Sequence, residues 1–388
     1  MRRPFTMALL GLCMALGSSS LLQAQQIQPI SYDDLVARLA NVESELTAIR
    51  EAGPAQDIPL GPDQLYSDNA STRGGLFISY ENVWIKPYFN HNAAYEIFDV
   101  DIIPGGNINP ISENSRVVEF DWGFRSTPRV ELGYIVPGSG LGWRARYWQF
   151  DSTTSARAAD PFVANGSPGR IEVGLHDDPD IQVSTGDNEA VRATDSLRLT
   201  VIDAEGMWRH ESDCNAFTVS GGLRYLRKEQ NYRAELAAVT TGIIDNIVVS
   251  DTFFEGVGPT LALEGVRRLG GSSMSVFGKG RGSLLLGDSG LQQADVDPQD
   301  LNSPIDDFFT TENSVDFQLI AELQIGLQYD RTLCSGKTIF GRIGAELQYW
   351  PSAGSASYQN GEDSATAPDP RDADMLLFGL SAEVGTRW

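Results

Sequence analysis

Alternation of apolar and polar residues over one long segment most constrains what this chain can fold into. Between Val315 and Tyr329 every second residue is apolar, and most of the residues between them are polar. Successive side chains of a β-strand point to opposite faces, so the segment predicts a strand with one apolar and one polar face. Its length of about 15 residues far exceeds the 5–6 residues of an ordinary soluble strand.

Nine further segments alternate in the same way, so the sequence predicts ten strands. The ten predicted strands, including the one described above, cover 76–88, 127–136, 141–151, 196–209, 215–227, 253–268, 272–287, 314–330, 337–351 and 373–388. Short connections alternate with long ones, which is typical of a bacterial up-and-down barrel whose turns face the periplasm and whose loops face outward. Residues 118–124 leave an alternative open, because pairing them with 93–101 would raise the count to twelve. The predicted fold class is all-β, a closed antiparallel transmembrane β-barrel over residues 74–388.

The polar faces of these strands would line the interior of such a barrel. Lipid offers no hydrogen bonds to the backbone, so a membrane sheet must close on itself, with its apolar faces turned toward the acyl chains. We expect these charged residues to line the lumen: Arg129, Glu131, Arg144, Arg146, Arg198, Arg224, Lys279, Arg281, Glu322, Arg342 and Glu346. A barrel of about eight strands is filled by its own side chains. At ten strands, both a narrow channel and a largely filled interior therefore remain open.

The amino-terminal region has a different character. Arg2 and Arg3 precede a short apolar run, and Ala24 suits signal cleavage, so residues 1–24 are predicted to be a secretory signal peptide. Residues 25–73 are predicted to form a periplasmic helix with heptad spacing, followed by a linker rich in proline and glycine. A single docked helix and a self-associating helix fit this segment equally well. The predicted seam consists of Leu35, Leu39, Val42, Leu46 and Ile49.

Composition argues against several functional classes. The formal net charge of −23 and a sequence pI of about 4.4 argue against nucleic-acid binding, which needs clustered Lys and Arg. The three histidines, His91, His176 and His210, lie apart along the chain, and no nucleophile motif accompanies them. We therefore expect no enzyme activity, no cofactor and no metal site. Whether Cys214 and Cys334 form a disulfide is left open.

Acidic residues concentrate in the predicted outer loops. They suit a solvated surface, although carboxylates that bridge lipid headgroups through divalent cations form an alternative. The largest acidic group comprises Asp288, Asp295, Asp297, Asp300, Asp306, Asp307 and Glu312. Since no loop has the ordered spacing of a calcium-binding hand, the sequence predicts no specific metal site here.

The end of the chain and several internal stretches suggest a family. Phe378, Leu380, Val384 and Trp388 alternate up to a terminal aromatic residue, which is similar to the signal read by the barrel-assembly machinery. Six internal stretches together resemble the Legionella-type major outer-membrane-protein family of pore-forming barrels, over residues 76–388. These stretches are 128–134, 142–151, 202–205, 221–225, 256–260 and 344–350.

This resemblance implies a porin-like role and carries no catalytic motif. We therefore expect a protein of the bacterial outer membrane, surrounded by outer-membrane lipids, that lets small hydrophilic solutes or ions pass. The alternative is a non-conducting structural or adhesin barrel that presents acidic loops outward. In either case, the predicted amino-terminal helix would serve to anchor the protein or to form a homo-oligomer.

Overall fold

The computed structural model contains a ten-stranded barrel and a smaller second sheet. It describes residues 74–101, 112–159, 169–174, 182–186, 188–212, 214–270, 272–299, 305–310, 314–356 and 373–388. Strands are numbered β1 to β15 in chain order. The barrel strands are β1 (Gly75–Phe89), β4 (Arg125–Ile135), β5 (Leu141–Ala159), β8 (Glu189–Glu211), β9 (Asn215–Ala238), β10 (Ile244–Arg268), β11 (Met274–Val296), β13 (Ser314–Thr332), β14 (Thr338–Trp350) and β15 (Met375–Arg387). All ten coincide with predicted strands.

The barrel is closed, and all of its strand pairs are antiparallel. Its order is β10-β9-β8-β5-β4-β1-β15-β14-β13-β11, and β11 pairs in turn with β10, which completes the ring. The first strand also pairs with the last along its whole length, from Phe77 opposite Arg387 to Phe89 opposite Met375. The backbone amide of Trp388 donates a hydrogen bond to the carbonyl of Leu76 at 3.0 Å. Closure leaves the ring without a free edge, as a sheet in lipid requires.

Connections at the two ends of the barrel differ in length. We call the end that carries connections 136–140, 212–214, 269–273 and 333–337 the turn end, and the opposite end the loop end. The predicted strands 215–227 and 253–268 leave residues 228–252 as one of the long connections, and this part of the prediction is wrong. β9 and β10 continue as a paired hairpin to residues 238 and 244, and only 239–243 connect them. Strands of 24 and 25 residues far exceed the 9–11 that cross a bilayer, so this hairpin extends beyond the membrane.

The outer face of the barrel is apolar, as the alternation predicts. Large hydrophobic side chains are exposed on every barrel strand because nothing in the protein covers them. In the membrane this belt contacts the acyl chains. Phe378, Leu380, Val384 and Trp388 all belong to this exposed outer set. Further members include Trp84, Leu132, Trp143, Ile202, Leu223, Leu261, Leu284, Phe317 and Ile325.

A second sheet lies at the loop end. It has the order β3-β2-β6-β7, formed by β2 (Ala93–Asp101), β3 (Ser112–Glu119), β6 (Gly169–Gly174) and β7 (Gln182–Ser184). Residues 93–101 pair with 112–119, so the pairing that the twelve-strand alternative proposed for 118–124 is found only at Val118 and Glu119. The pair stays outside the barrel wall, however, so the count remains ten. A further short strand, β12 (Ile305–Thr310), pairs with the end of β11.

Several predictions fall on the amino-terminal region. The signal peptide, the heptad helix with its seam and the linker to residue 73 lie outside the described residues. No helix in the described residues has the length and apolar character needed to span a bilayer. Cys214 and Cys334 both lie at the turn end, where both are exposed and neither is in a disulfide.

Candidate functional site: the barrel interior

Charged side chains from all ten barrel strands meet inside the half of the barrel nearer the turn end. They are brought together because alternation places every second residue of each strand inward, and barrel closure makes these faces converge. We call this set the ionic layer. It comprises Glu81, Arg129, Glu131, Arg144, Arg146, Asp203, Glu205, Arg224, Glu264, Lys279, Arg281, Glu322, Arg342, Glu346 and Glu383.

Arg224 occupies the centre of the ionic layer and is fully buried, with 0% of its surface exposed. Its Nε donates to Asp203 at 2.7 Å, and its guanidinium also pairs with Glu322. Arg146 lies beside it and bonds Asp203 at 2.7 Å and Glu322 at 3.3 Å. Two carboxylates are thus shared by two arginines, a geometry that compensates buried charge on both sides.

One of these ion pairs spans the full width of the barrel. Arg146 lies on β5 and Glu322 on β13, and five steps separate these strands in either direction around the ring. Their side chains meet at 3.3 Å. Because this contact joins opposite walls at hydrogen-bond distance, the centre of the lumen is closed at this level.

Two further groups complete the layer. Arg129 bonds Glu346 at 2.6 Å and Glu81 at 2.9 Å, so it links β4 to β14 and β1. Arg342 bonds Glu264 at 2.6 Å across the strands between β14 and β10. The Arg129–Glu346 and Arg342–Glu264 contacts connect strands that are not neighbours in the sheet, whereas Glu81 lies directly opposite Arg129 on the adjacent strand.

The half of the barrel nearer the loop end is filled by apolar side chains, which we call the apolar layer. Its inward-facing members are inaccessible to water: Val83, Ile85, Phe150, Leu199, Leu226, Val248, Leu285, Ile320, Trp350, Met375 and Leu377. The second sheet and the segment after it add Ala94, Tyr95, Phe120, Trp122, Ile171 and Val173 to the same core. The second sheet therefore closes the barrel at the loop end.

A polar contact fastens the second sheet to the barrel wall. Asn92, just before β2, donates its side-chain amide to the Oδ2 of Asp195 on β8 at 3.0 Å, and Gln230 on β9 donates to the same oxygen at 2.7 Å. Tyr232 donates its hydroxyl to the carbonyl of Ala94 at 2.7 Å. Both contacts join strands of the wall to residues beside or within the second sheet.

Asp195 is fully buried in this contact, above the apolar belt. On β8, Arg198 lies between Asp195 and Ile202. Arg198 is exposed and pairs with Asp151, whereas Ile202 belongs to the apolar outer belt. Burial raises the pKa of Asp195 to about 7, although the two amide hydrogen bonds and Lys228 oppose the shift. A carboxyl group with this pKa changes its charge near neutral pH, at the point where the second sheet joins the wall.

The structure brings ten of the eleven predicted lumen residues into the ionic layer, and Arg198 is the exception. Its side chain is 57% exposed and pairs with Asp151 on the outer surface. On β8 the odd-numbered residues face inward and the even-numbered ones outward, as the exposure of Ile202 and Trp208 shows. The prediction for Arg198 was wrong because it overlooked this parity.

Sequence reasoning missed five acidic members of the ionic layer, although the alternation contained the signal. Asp203 and Glu205 alternate with Ile202 and Ala204, so strand parity alone would have turned both carboxylates inward. The same parity rule also places Glu81, Glu264 and Glu383 on the inward face of their strands. The missed residues are Glu81, Asp203, Glu205, Glu264 and Glu383.

Cavities within the barrel are small and unequal. A cavity of about 350 Å³ opens at the turn end and is lined by Arg209, Arg268 and Arg387 among others. Beyond it, within the ionic layer, spaces of about 30 Å³ and 10 Å³ remain. The smaller one is about the least that can hold a water molecule. The vestibule at the turn end therefore narrows sharply at the ionic layer.

The histidines show no catalytic arrangement within the described part of the chain. His91 is exposed in the connection after β1, and His210 stacks on Trp208 with 6.0 Å between the ring centroids. His176 lies outside the described residues. Among the residues that the structure describes, no group of three or more His, Cys, Asp or Glu side chains could hold a metal ion.

The match to a family model accords with this architecture. The model described as the Legionella pneumophila major outer membrane protein precursor matches residues 71–385. The chain belongs to this family. The family and the closed barrel together assign it to the bacterial outer membrane, as the sequence predicted. No curated protein matches the chain in sequence.

Several solved structures align with this member of the major outer membrane protein family, at low identity and low TM-score. The outer membrane protease OmpT from Escherichia coli is 8% identical, with a TM-score of 0.37, over 82% of this chain and 98% of that chain. A Pseudomonas aeruginosa FadL homologue is 8% identical, with a TM-score of 0.20, over 80% and 90% of the two chains. The Ralstonia pickettii toluene transporter TbuX is 8% identical, with a TM-score of 0.23, over 81% and 90%.

Proposed function

We propose that this protein is a structural barrel of the outer membrane whose lumen does not conduct in the state described. The observation that carries the proposal is the contact between Arg146 and Glu322, which joins opposite walls at 3.3 Å. The apolar layer adds a second barrier, since ions do not cross a dry apolar core without a large desolvation cost. The structural role of such a barrel depends on the segments at its two ends. Its long hairpin and second sheet lie at the loop end, which in this proposal faces outward.

Conductance of the purified, folded protein in planar bilayers tests this proposal. We expect no steady open channel in the wild type, because both barriers must move before ions can pass. The contact between Arg146 and Glu322 is then removed in a double variant, Arg146→Ala with Glu322→Ala. We expect this variant to remain silent as well, because the apolar layer is intact. A large, steady conductance of the wild type would contradict the proposal.

A narrow channel that opens from this closed state is the second candidate, and it retains the passage of small hydrophilic solutes or ions predicted from the sequence. The open vestibule of about 350 Å³ at the turn end favours it, because this vestibule leads directly to charged side chains that water can solvate. Brief, voltage-dependent openings that become more frequent when Arg146→Ala and Glu322→Ala are combined would support this candidate over the structural one.

The roles proposed for the amino-terminal segment and for the end of the chain are supported by the sequence alone. We propose that the segment 31–51 anchors the protein in the periplasm or joins copies of it. We also propose that the exposed terminal residues Phe378, Leu380, Val384 and Trp388 are read by the barrel-assembly machinery. Catalysis and nucleic-acid binding have no part in the proposed function.

A further inference from the structure

A cavity of about 150 Å³ with a mixed polar and apolar lining lies at the loop end, apart from the ionic layer. It forms where β11 changes partner, since β11 pairs with β13 up to Ser289 and with β12 from Gln292 onward. The wall on one side comes from β9 and β10, and the segment 352–355 after β14 closes another side.

Lys228 on β9 supplies a cationic group to the lining of the cavity. The residue is only 4% exposed, and it lines the cavity, yet its ammonium forms no salt bridge or hydrogen bond within the described part of the chain. Its electrostatic partners, Asp195 and Asp316, act on it from a distance. A buried ammonium is costly without a bonded acceptor. The cavity therefore presents a buried cation whose three donors can be satisfied by an anionic ligand.

Lys228 retains its charge at neutral pH and lies beyond the apolar belt. The residues next to it, Arg227 and Glu229, are charged and point outward on the same strand. Burial lowers the pKa of Lys228 to about 8, and the carboxylates of Asp195 and Asp316 oppose this shift. Most of the protein carries a protonated Lys228 at pH 7.

The lining of the cavity also includes an acidic side chain. Asp316 on β13 lines the cavity from its exposed rim, where one of its oxygens accepts the amide of Phe317 at 2.7 Å. Thr252 adds a buried hydroxyl that has no hydrogen-bond partner among the residues that the structure describes. Phe254 and Leu291 add apolar surface to the lining. A ligand that satisfies this lining carries a carboxylate, an ammonium group and a small apolar side chain.

Cavity size limits the ligand further. An engineered cavity of about 150 Å³ accommodates benzene, so a molecule of about six non-hydrogen atoms fits here. Drug-sized sites are larger, at about 300–1,000 Å³. Alanine has the required size and charges.

We propose that this cavity binds a small zwitterionic α-amino acid, with its carboxylate on Lys228 and its ammonium toward Asp316. The site opens at the loop end and so takes its ligand from outside the cell. The proposal is independent of whether the barrel conducts.

Titration of the folded protein in detergent with alanine, followed by ligand-observed NMR, tests the proposal. We expect saturable binding to the wild type and a loss of affinity of at least about tenfold in Lys228→Met, because a charge-assisted hydrogen bond is removed. Asp316→Asn should weaken alanine but leave propionate, which lacks the ammonium, unchanged. Lys337→Met, at the turn end, is the matched control and should bind as the wild type does.

The folded state of each variant is checked by its heat-modifiable migration on gels, so that a misfolded protein is not scored as a loss of binding. The absence of saturable alanine binding to the wild type would overturn the proposal, as would equal affinity in Lys228→Met. Propionate that binds as tightly as alanine would overturn the assignment of Asp316 and with it the amino-acid class.

Discussion

Replacing Arg224 with methionine tests whether the ionic layer stabilises the barrel. Methionine keeps much of the side-chain volume but removes the charge that bonds Asp203 and Glu322. Removing one partner of a buried ion pair costs about 3–5 kcal/mol, because the remaining charge is left uncompensated. Here Asp203 retains Arg146 at 2.7 Å and Arg281 at 3.5 Å, so we expect the lower end of that range, about 3 kcal/mol.

The assay is equilibrium unfolding in urea of protein folded into lipid vesicles, followed by tryptophan fluorescence. A loss of about 3 kcal/mol lowers the folding equilibrium constant more than about a hundredfold. Arg198→Met is the matched control, because Arg198 also pairs with an aspartate, Asp151 at 3.1 Å, but on the exposed outer surface. Exposed pairs contribute about 0–1 kcal/mol. If the free energies of unfolding of the two variants differ by less than about 1 kcal/mol, the ionic layer does not stabilise the barrel as argued.

Three further changes test other parts of the structure. The free energy of unfolding of the wild type should fall as the pH rises from about 4 to about 7, because buried Asp195 holds its proton in the folded state over that range and releases it in the unfolded state. Asp195→Asn should remove this dependence, and a urea midpoint that shifts equally with pH in both proteins would contradict the role of Asp195. Gly379→Val should prevent folding, because a side chain there meets the backbone carbonyl of Trp84 on the neighbouring strand, whereas Gly265→Ala meets no atom within 4 Å and should fold; comparable yields of heat-modifiable protein would contradict this reasoning. Deletion of residues 31–51 should lower the native mass in detergent if this segment joins copies, and an unchanged mass would show that it does not.

Most of the barrel could be predicted from the sequence because alternation is a local property. In a strand such as β13, consecutive residues point to opposite faces, so both faces can be identified from the sequence. The lengths of the connections then indicate the order of the strands around the ring. The inward direction of Arg129, Arg144 and Arg224 follows from the same rule. Even the error at Arg198 and the missed Asp203 concern the application of strand parity and not a limit of the sequence.

What fills the barrel was decided only by the tertiary structure. Arg146 and Glu322 are 176 residues apart in the chain, and their contact depends on the circumference of the ring, which brings β5 opposite β13. In the same way, the strands at 93–101, 112–119, 169–174 and 182–184 could have joined the barrel wall or formed a separate sheet, since backbone pairing satisfies the same groups in either arrangement. Their packing against Ile85 and Phe150 decides between the two, because only the closed ring offers an apolar interior for that sheet to cover. Local alternation thus determined the wall of this protein, and contacts distant in the chain determined that its interior is filled.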